Sequence, residues 1–272
     1  MHMATLFEGD VIRFIQNPGQ GFFSCCTIQL QGILKYFNQF HQLPRRVDST
    51  EQFLFYKTPQ NWNEDIKHDY FLDQEIDPKP FSFSPPDYPI KTTNLEKEDQ
   101  FSDYRYLNYT DLLPFIQRYF APTPMITTLI EDICEKYDIK YENTCVLFYR
   151  GNDKATEVTL PTYDQYVLAA RNLLASEPHI RFLVQSDETE FLDAMKAEFP
   201  DNHVIFYDEI RHMPQCLTTV DKAFRYQNAV MSKLYLAITL VMSRCKYVVC
   251  STGNCSMWIA LFRGNMHGVT QF

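Results

Sequence analysis

Apolar positions along the chain fall alternately into strand-like runs and helix-like stripes. Residues 11–16 (VIRFIQ) are strand formers that end in Asn17, Pro18, Gly19, Gln20 and Gly21. From residue 25 to 40 apolar side chains recur at 26, 28, 30, 33, 34 and 37, which is the spacing of one helical face. With a second strand predicted at 52–56 (QFLFY), the start reads as strand, glycine turn, helix, strand. Residues 112–119 (LLPFIQRY) and 124–137 predict two helices, the second carrying Pro124 in its first turn. Strand-like runs then follow at 145–149 (CVLFY), 179–184 (HIRFLV), 203–208 (HVIFYD) and 246–250 (KYVVC). Helical patterns separate them at 163–175, 190–199 and 229–244, and a last helix starts near 256. Such alternation predicts α/β architecture, with parallel strands wrapped by helices. The 272 residues are expected to form two domains, 1–111 and 112–272.

Between 57 and 111 the periodicity stops. Pro59, Pro78, Pro80, Pro85, Pro86 and Pro89 interrupt any ladder, and Trp62, Tyr70, Phe71, Phe81, Phe83 and Tyr88 are scattered without period. Long loops with short helices are expected here, pinned by aromatic anchors. The segment is either an irregular cover or a wall of an acceptor cleft.

Composition narrows the function. A net charge of -9 and a pI near 5.3 argue against an extended nucleic-acid footprint, while leaving room for a local basic pocket that takes one small anion. No apolar run reaches the ~18 residues of a membrane span, and the opening MHMATLFEGD lacks the apolar core of a secretion signal. No membrane segment and a cytoplasmic location are therefore expected. The eight cysteines contain no C-x-x-C pair and no zinc spacing, so reduced core thiols and no metal site are expected.

Three predicted strands end in polar residues: Arg150, Gly151, Asn152, Asp153 and Lys154; then Gln185, Ser186, Asp187 and Glu188; then Ser251, Thr252, Gly253 and Asn254. In a parallel sheet these ends share one edge, where ligands of open α/β sheets bind. Arg150 offers a forked, permanently charged donor set suited to phosphate, and Gly151 would let a ligand approach the backbone. Alternatively, Arg150 and Lys154 pair with Asp153 or Glu157 at a loop surface. Ser251 to Asn254 precede a helix and would bring hydroxyl and N–H groups to an anion, forming a diphosphate clamp opposite Arg150. Ser186 or Asp187 could instead cap the following helix. The Gly19-Gln20-Gly21 turn presents N–H groups to a phosphate or sugar, or is a turn with no ligand.

Together these residues resemble the GDP-fucose-dependent fucosyltransferase clan that includes α1,2-, α1,6- and protein O-fucosyltransferases. The family pattern His-x-Arg-x-x-Asp-Lys/Tyr is matched by Phe148, Tyr149, Arg150, Gly151, Asn152, Asp153 and Lys154. FLVQSDETEFL (182–192) and MSRCKYVVCSTGNCSMWIALF (242–262) are similar to two further segments, and PGQGFF (18–23) to the N-terminal glycine loop. The resemblance implies a GT-B-like fold, two Rossmann-type domains with parallel sheets facing a cleft. It implies inverting, metal-independent transfer of fucose from GDP-fucose to a hydroxyl of a glycan or protein acceptor, without a cofactor. Arg150 would bind the β-phosphate and stabilise the departing GDP. Asn152, Asp153 and Lys154 would complete that motif, and Ser251, Thr252, Gly253 and Asn254 would hold phosphate oxygens. Ser186 and Asp187 would lie near the nucleoside, with Gly19, Gln20, Gly21 and Phe22 facing the donor from the first domain. Phe148 stands where the family usually has histidine. Gln20 stands where one protein O-fucosyltransferase branch has its catalytic glutamate, and glutamine accepts no proton, so Glu8, Asp10 or a residue of 57–111 would be the base. Two other readings stay open: a catalytically silent nucleotide-sugar or glycan-binding protein of the same fold, and a structural α/β interaction protein.

Overall fold

The computed structural model describes residues 5–15, 20–73, 75, 81, 83, 86, 88–92, 95 and 97–272. Asn17, Pro18 and Gly19 of the predicted glycine turn lie outside the described residues, and Gln20 and Gly21 within them. The chain divides into two compact units, residues 1–102 with 106–127 and residues 103–105 with 128–272.

In the first unit, strands β1 (Thr5–Glu8) and β2 (Val11–Phe14) form an antiparallel hairpin that turns at Gly9, whose φ of 63° suits a residue without a Cβ. Helix α1 (Phe22–Phe40) follows, and β3 (Arg46–Asp48) returns parallel to β2. The helix lies directly on β2: a Cβ added at Gly32 would stand 2.7 Å from the Phe14 ring. Ile12, Phe14, Leu30, Ile33 and Leu34 are fully buried around this contact.

The strand expected at 52–56 is instead a 3-10 turn, Leu54–Tyr56, entered through Phe53 at φ 55°. Its aromatics have a different task. The Phe22 N–H donates to the Tyr56 hydroxyl at 2.7 Å, and the Phe22 ring meets Phe53 and Tyr70 at centroid distances of 5.3 and 4.8 Å. Burying those rings as a cluster outweighs their strand propensity. The expected boundary at 111/112 falls inside helix α2 (Tyr109–Tyr119), which stays with the first unit because Phe115 packs on Phe37 at 5.2 Å. Helix α3 (Pro124–Lys136) follows, and ahead of α2 the chain makes 3-10 turns at Ile66–Asp69, Lys97–Phe101 and Tyr104–Tyr106.

The second unit holds a five-stranded sheet of β4 (Thr144–Tyr149), β5 (Arg181–Ser186), β6 (His203–Ile205), β7 (Tyr247–Cys250) and β8 (Val269–Gln271). The order is β6-β5-β4-β7-β8, and every pairing is parallel. Helices α4 (Tyr163–Ser176), α5 (Thr189–Glu198), α6 (Val220–Ala223), α7 (Asn228–Arg244) and α8 (Asn254–Arg263) connect the strands. All six residues of β4 are buried, as a central strand covered on both faces requires. β8 is three residues with no fully buried position, too short to leave a periodic signal. Strand order reverses direction between β4 and β7, which makes their carboxyl ends the switch point of the sheet. All eight cysteines are free thiols. Among the described residues no helix is long and apolar enough to cross a membrane.

Candidate functional site

Register alone brings the three polar strand ends together. Tyr149 is paired with Ser186 and Phe148 with Cys250, so the chain leaves the sheet at adjacent points as Arg150, Asp187 and Ser251. Hydrogen bonds then tie the loops. The Arg150 backbone N–H donates to Ser251 Oγ at 3.2 Å, and its Nε donates to Asp187 Oδ2 at 3.0 Å. Gly151 N–H donates to the other carboxylate oxygen, Asp187 Oδ1, at 3.0 Å. Asp187 is 5 % exposed and so clamps the end of β4 to the end of β5. Burial by itself would lower the pKa of Arg150, but Asp187, with Tyr235, Asp153 and Cys255 adding to it, outweighs burial and holds the guanidinium well above its usual value.

The surface-pairing alternative is partly realised. Arg150 Nη2 contacts Asp153 Oδ1 at 3.4 Å, and Lys154 forms an ion pair with Glu157. Among the described residues Nη1 of Arg150 has no protein acceptor, and its side chain keeps 19 % of its surface. Burial raises the Asp153 pKa, against the pull of Arg150 and Lys154. Lys154 lies along the 251–254 loop, its Cε 3.7 Å from where a Cβ on Gly253 would stand. Two cations therefore border the switch point.

Several predicted residues have structural tasks that the motif did not disclose. A Cβ on Gly151 would stand 2.1 Å from Glu188 Oε2 and 2.9 Å from the Tyr149 ring, so a glycine is needed there to make room for the Glu188 carboxylate. Asn152 is buried with its side chain fully engaged: Nδ2 donates to the Asp187 carbonyl at 2.6 Å, and Oδ1 accepts the Cys216 N–H at 2.9 Å. Ser186 Oγ accepts the Glu188 N–H at 3.0 Å, and the cap residue of α5 is Glu188, which makes no side-chain cap bond. Neither Ser186 nor Asp187 caps that helix. Asp187 directs both oxygens at the β4 end, Oδ2 to Arg150 Nε and Oδ1 to the Gly151 N–H. Phe148 is fully buried and belongs to the core. In the 251–254 loop, Thr252 and Asn254 are half-buried and Ser251 and Gly253 are buried.

Gln20, Gly21 and Phe22 belong to the first unit. Gly21 is the N-cap of α1, and Gln20 Oε1 lies 4.0 Å from Cys25 Sγ. Phe22 is 1 % exposed and its N–H is taken by Tyr56, so neither its ring nor its amide faces a donor. Of the candidate bases, Glu8 pairs with Arg13 at 3.6 Å and Asp10 with Arg45 at 2.8 Å. A cavity of about 600 Å³ in the same unit, lined by Thr5, Phe7, Lys35, Asn38 and Gln39, contains none of the predicted site residues.

Sequence reasoning missed Glu188, Tyr163 and Tyr104. Glu188 is fully buried, accepts the Asn152 N–H at 3.3 Å and receives the Tyr163 hydroxyl. In QSDETE it looks like one acid of an exposed first turn. Burial raises its pKa, opposed by the Asn152 N–H. The native state thus binds a proton more readily than the unfolded chain, and this group's contribution to stability falls as pH rises from the ordinary carboxylate range through the raised value. Glu188→Gln is expected to abolish that falling segment in denaturant midpoints measured from pH ~4 to ~8; an unchanged pH profile would count against it. Gly151→Ala must displace the Glu188 carboxylate from two hydrogen bonds, an expected loss of roughly 1–3 kcal/mol in urea unfolding.

No family model matches the chain, and no curated protein matches it. Solved structures do. The crystal structure of NodZ α-1,6-fucosyltransferase co-crystallised with GDP superposes with a TM-score of 0.54 at 14% identity, covering 93% of this chain and 90% of that one. The structure of NodZ α-1,6-fucosyltransferase soaked with GDP-fucose gives 0.53 at 12% identity, covering 93% and 91%. Identity this low carries architecture and not residue roles, so what is shared is a mixed α/β fold of the GT-B-like class, the fold of these fucosyltransferase structures.

Proposed function

We propose that the chain is a glycosyltransferase that moves fucose from GDP-fucose to a hydroxyl of a glycan or protein acceptor, with inversion and without a metal. The observation that carries this is the switch point, where Arg150 and Lys154 stand against the 251–254 loop and the start of α8. In the displacement, the acceptor oxygen forms the new bond to the sugar anomeric carbon while the bond from that carbon to the β-phosphate oxygen breaks. Negative charge grows on the leaving GDP. A fixed guanidinium and ammonium beside N–H donors at a helix start stabilise that charge where a Mg²⁺ ion would otherwise act. The acceptor proton passes to a base, for which Glu8, Asp10 and the 57–111 segment are the candidates.

Calorimetric titration with GDP, UDP, ADP and GDP-fucose in EDTA tests the donor. GDP selectivity supports the reading, UDP selectivity keeps the transferase and discards fucose, and no binding by any of the four sinks both. A second reading, a nucleotide-sugar-binding protein without turnover, draws support from Gln20 in place of a carboxylate and from the ion pairs that occupy Glu8 and Asp10. GDP-fucose binding with no GDP released across an acceptor panel would favour it.

A further inference from the structure

Residues 103–105 cluster with the second unit, although the chain on either side of them belongs to the first. At the centre of this strap Tyr104 is 1 % exposed. Its backbone N–H donates to Gln271 Oε1 at 2.9 Å, which fixes the strap to β8. Its hydroxyl accepts the Gly253 N–H at 2.8 Å and donates to the Gly253 carbonyl at 3.0 Å. One phenol therefore holds both polar backbone groups of one residue.

That residue is an unusual one. Gly253 has φ 139°, which side chains rarely permit, and it is the N-cap of α8 without a side-chain cap. Its carbonyl also accepts the Met257 N–H at 3.0 Å, which starts the helix. Helix N-caps are usually serine, threonine or aspartate, whose own oxygen satisfies a nearby N–H. Here a tyrosine 149 positions away in sequence takes part of that task. The Gly253 N–H is thus consumed inside the protein, while the first-turn N–H groups of Cys255 and Ser256 are ones that a helix does not use itself.

We propose that Tyr104 is a positioning residue for diphosphate recognition: by holding Gly253 from both sides, its hydroxyl keeps the 251–254 loop and the first turn of α8 in the shape that stands against Lys154 and Arg150. The inference rests on the donor site proposed above. It reassigns one predicted contact, since Gly253 serves as the pivot of the loop and its N–H is not a phosphate donor.

Tyr104→Phe deletes the hydroxyl and keeps the ring. Measured by calorimetry at a temperature where the variant is folded, its Kd for GDP is expected to rise about tenfold, as loss of the groups that hold a charged contact implies. Inorganic pyrophosphate should weaken in parallel, and amide exchange at 253–256 should speed up in the free protein. A purely structural role would lower the thermal midpoint and leave the affinity of the folded fraction alone. A folded Tyr104→Phe with wild-type GDP affinity overturns the inference while leaving the donor site standing. Wild-type protein that binds no GDP overturns the donor site and this inference with it. A measurement on the wild type covers the case in which the variant does not fold. By amide exchange, Gly253 should be protected before GDP is added and little altered by it, with new protection at Cys255 and Ser256. New protection at Gly253 itself would mean that the ligand displaces the phenol, and the inference would fall.

Discussion

Arg150→Ala is expected to weaken GDP and GDP-fucose binding at least a hundredfold. The guanidinium is held at the switch point by Asp187, stays charged at any working pH, and keeps Nη1 without a protein acceptor among the described residues. A fork with a free arm in a partly desolvated setting is the strongest anion donor in the second unit's strand-end loops, and removing such a donor typically costs about 2.7–4 kcal/mol of charge stabilisation. The same substitution has a second effect. It leaves the Asp187 carboxylate, 5 % exposed, without its cation, so stability falls as well. Arg150→Lys separates the two effects, because it keeps the charge and loses the fork; its GDP affinity should lie between wild type and alanine. Calorimetry below the unfolding transition of each variant is the check. Equal GDP affinity in wild type and Arg150→Ala would remove this residue from the donor site and return the strand-end loop to the surface-pairing alternative.

Asp187→Ala is expected to be the most destabilising single change in the second unit's strand-end loops, at about 3–5 kcal/mol in denaturant unfolding. The carboxylate satisfies Arg150 Nε and the Gly151 N–H together, and its own backbone carbonyl accepts from Asn152 and from Met213. Removing the side chain leaves a largely buried guanidinium with only the 3.4 Å contact to Asp153, and a buried N–H without its acceptor. The 150–154 loop should loosen with it. GDP affinity is then expected to fall at least tenfold, although Asp187 itself need not touch the nucleotide. A stable Asp187→Ala with normal affinity would show that Arg150 is held by something else.

These two expectations depend on facts of unequal legibility. That Arg150, Asp187 and Ser251 would meet could be read from the chain, because β4, β5 and β7 are apolar runs that stop in polar residues, and parallel strands put all such stops on one edge. The tasks of individual residues could not. Asn152 and Gly151 sit in the motif beside Arg150, yet one is engaged by Asp187 and Cys216 and the other yields space to Glu188. Glu188 and Tyr163 lie 25 residues apart in sequence and share a buried hydrogen bond that no local pattern announces. Phe22 resembles part of a donor loop and is a core ring, because Phe53 and Tyr56, from a segment that reads as a strand, and Tyr70, from the aperiodic stretch after it, converge on it.

By itself the sequence determined what depends on period and punctuation: the α/β class, the helices and central strands of the second half, the break in periodicity over 57–111, and the polar strand ends at 150, 187 and 251. Those follow from neighbours along the chain, since apolar spacing and chain breaks are local properties. Tertiary structure alone decided the partners: the 3-10 turn in place of a strand at 54–56, the β8 edge, the Glu188 carboxylate over Gly151, and the Tyr104 strap on Gly253. Each of these is a choice among competing hydrogen-bond acceptors or packing surfaces far apart in sequence, and burial settles it only once the chain has folded.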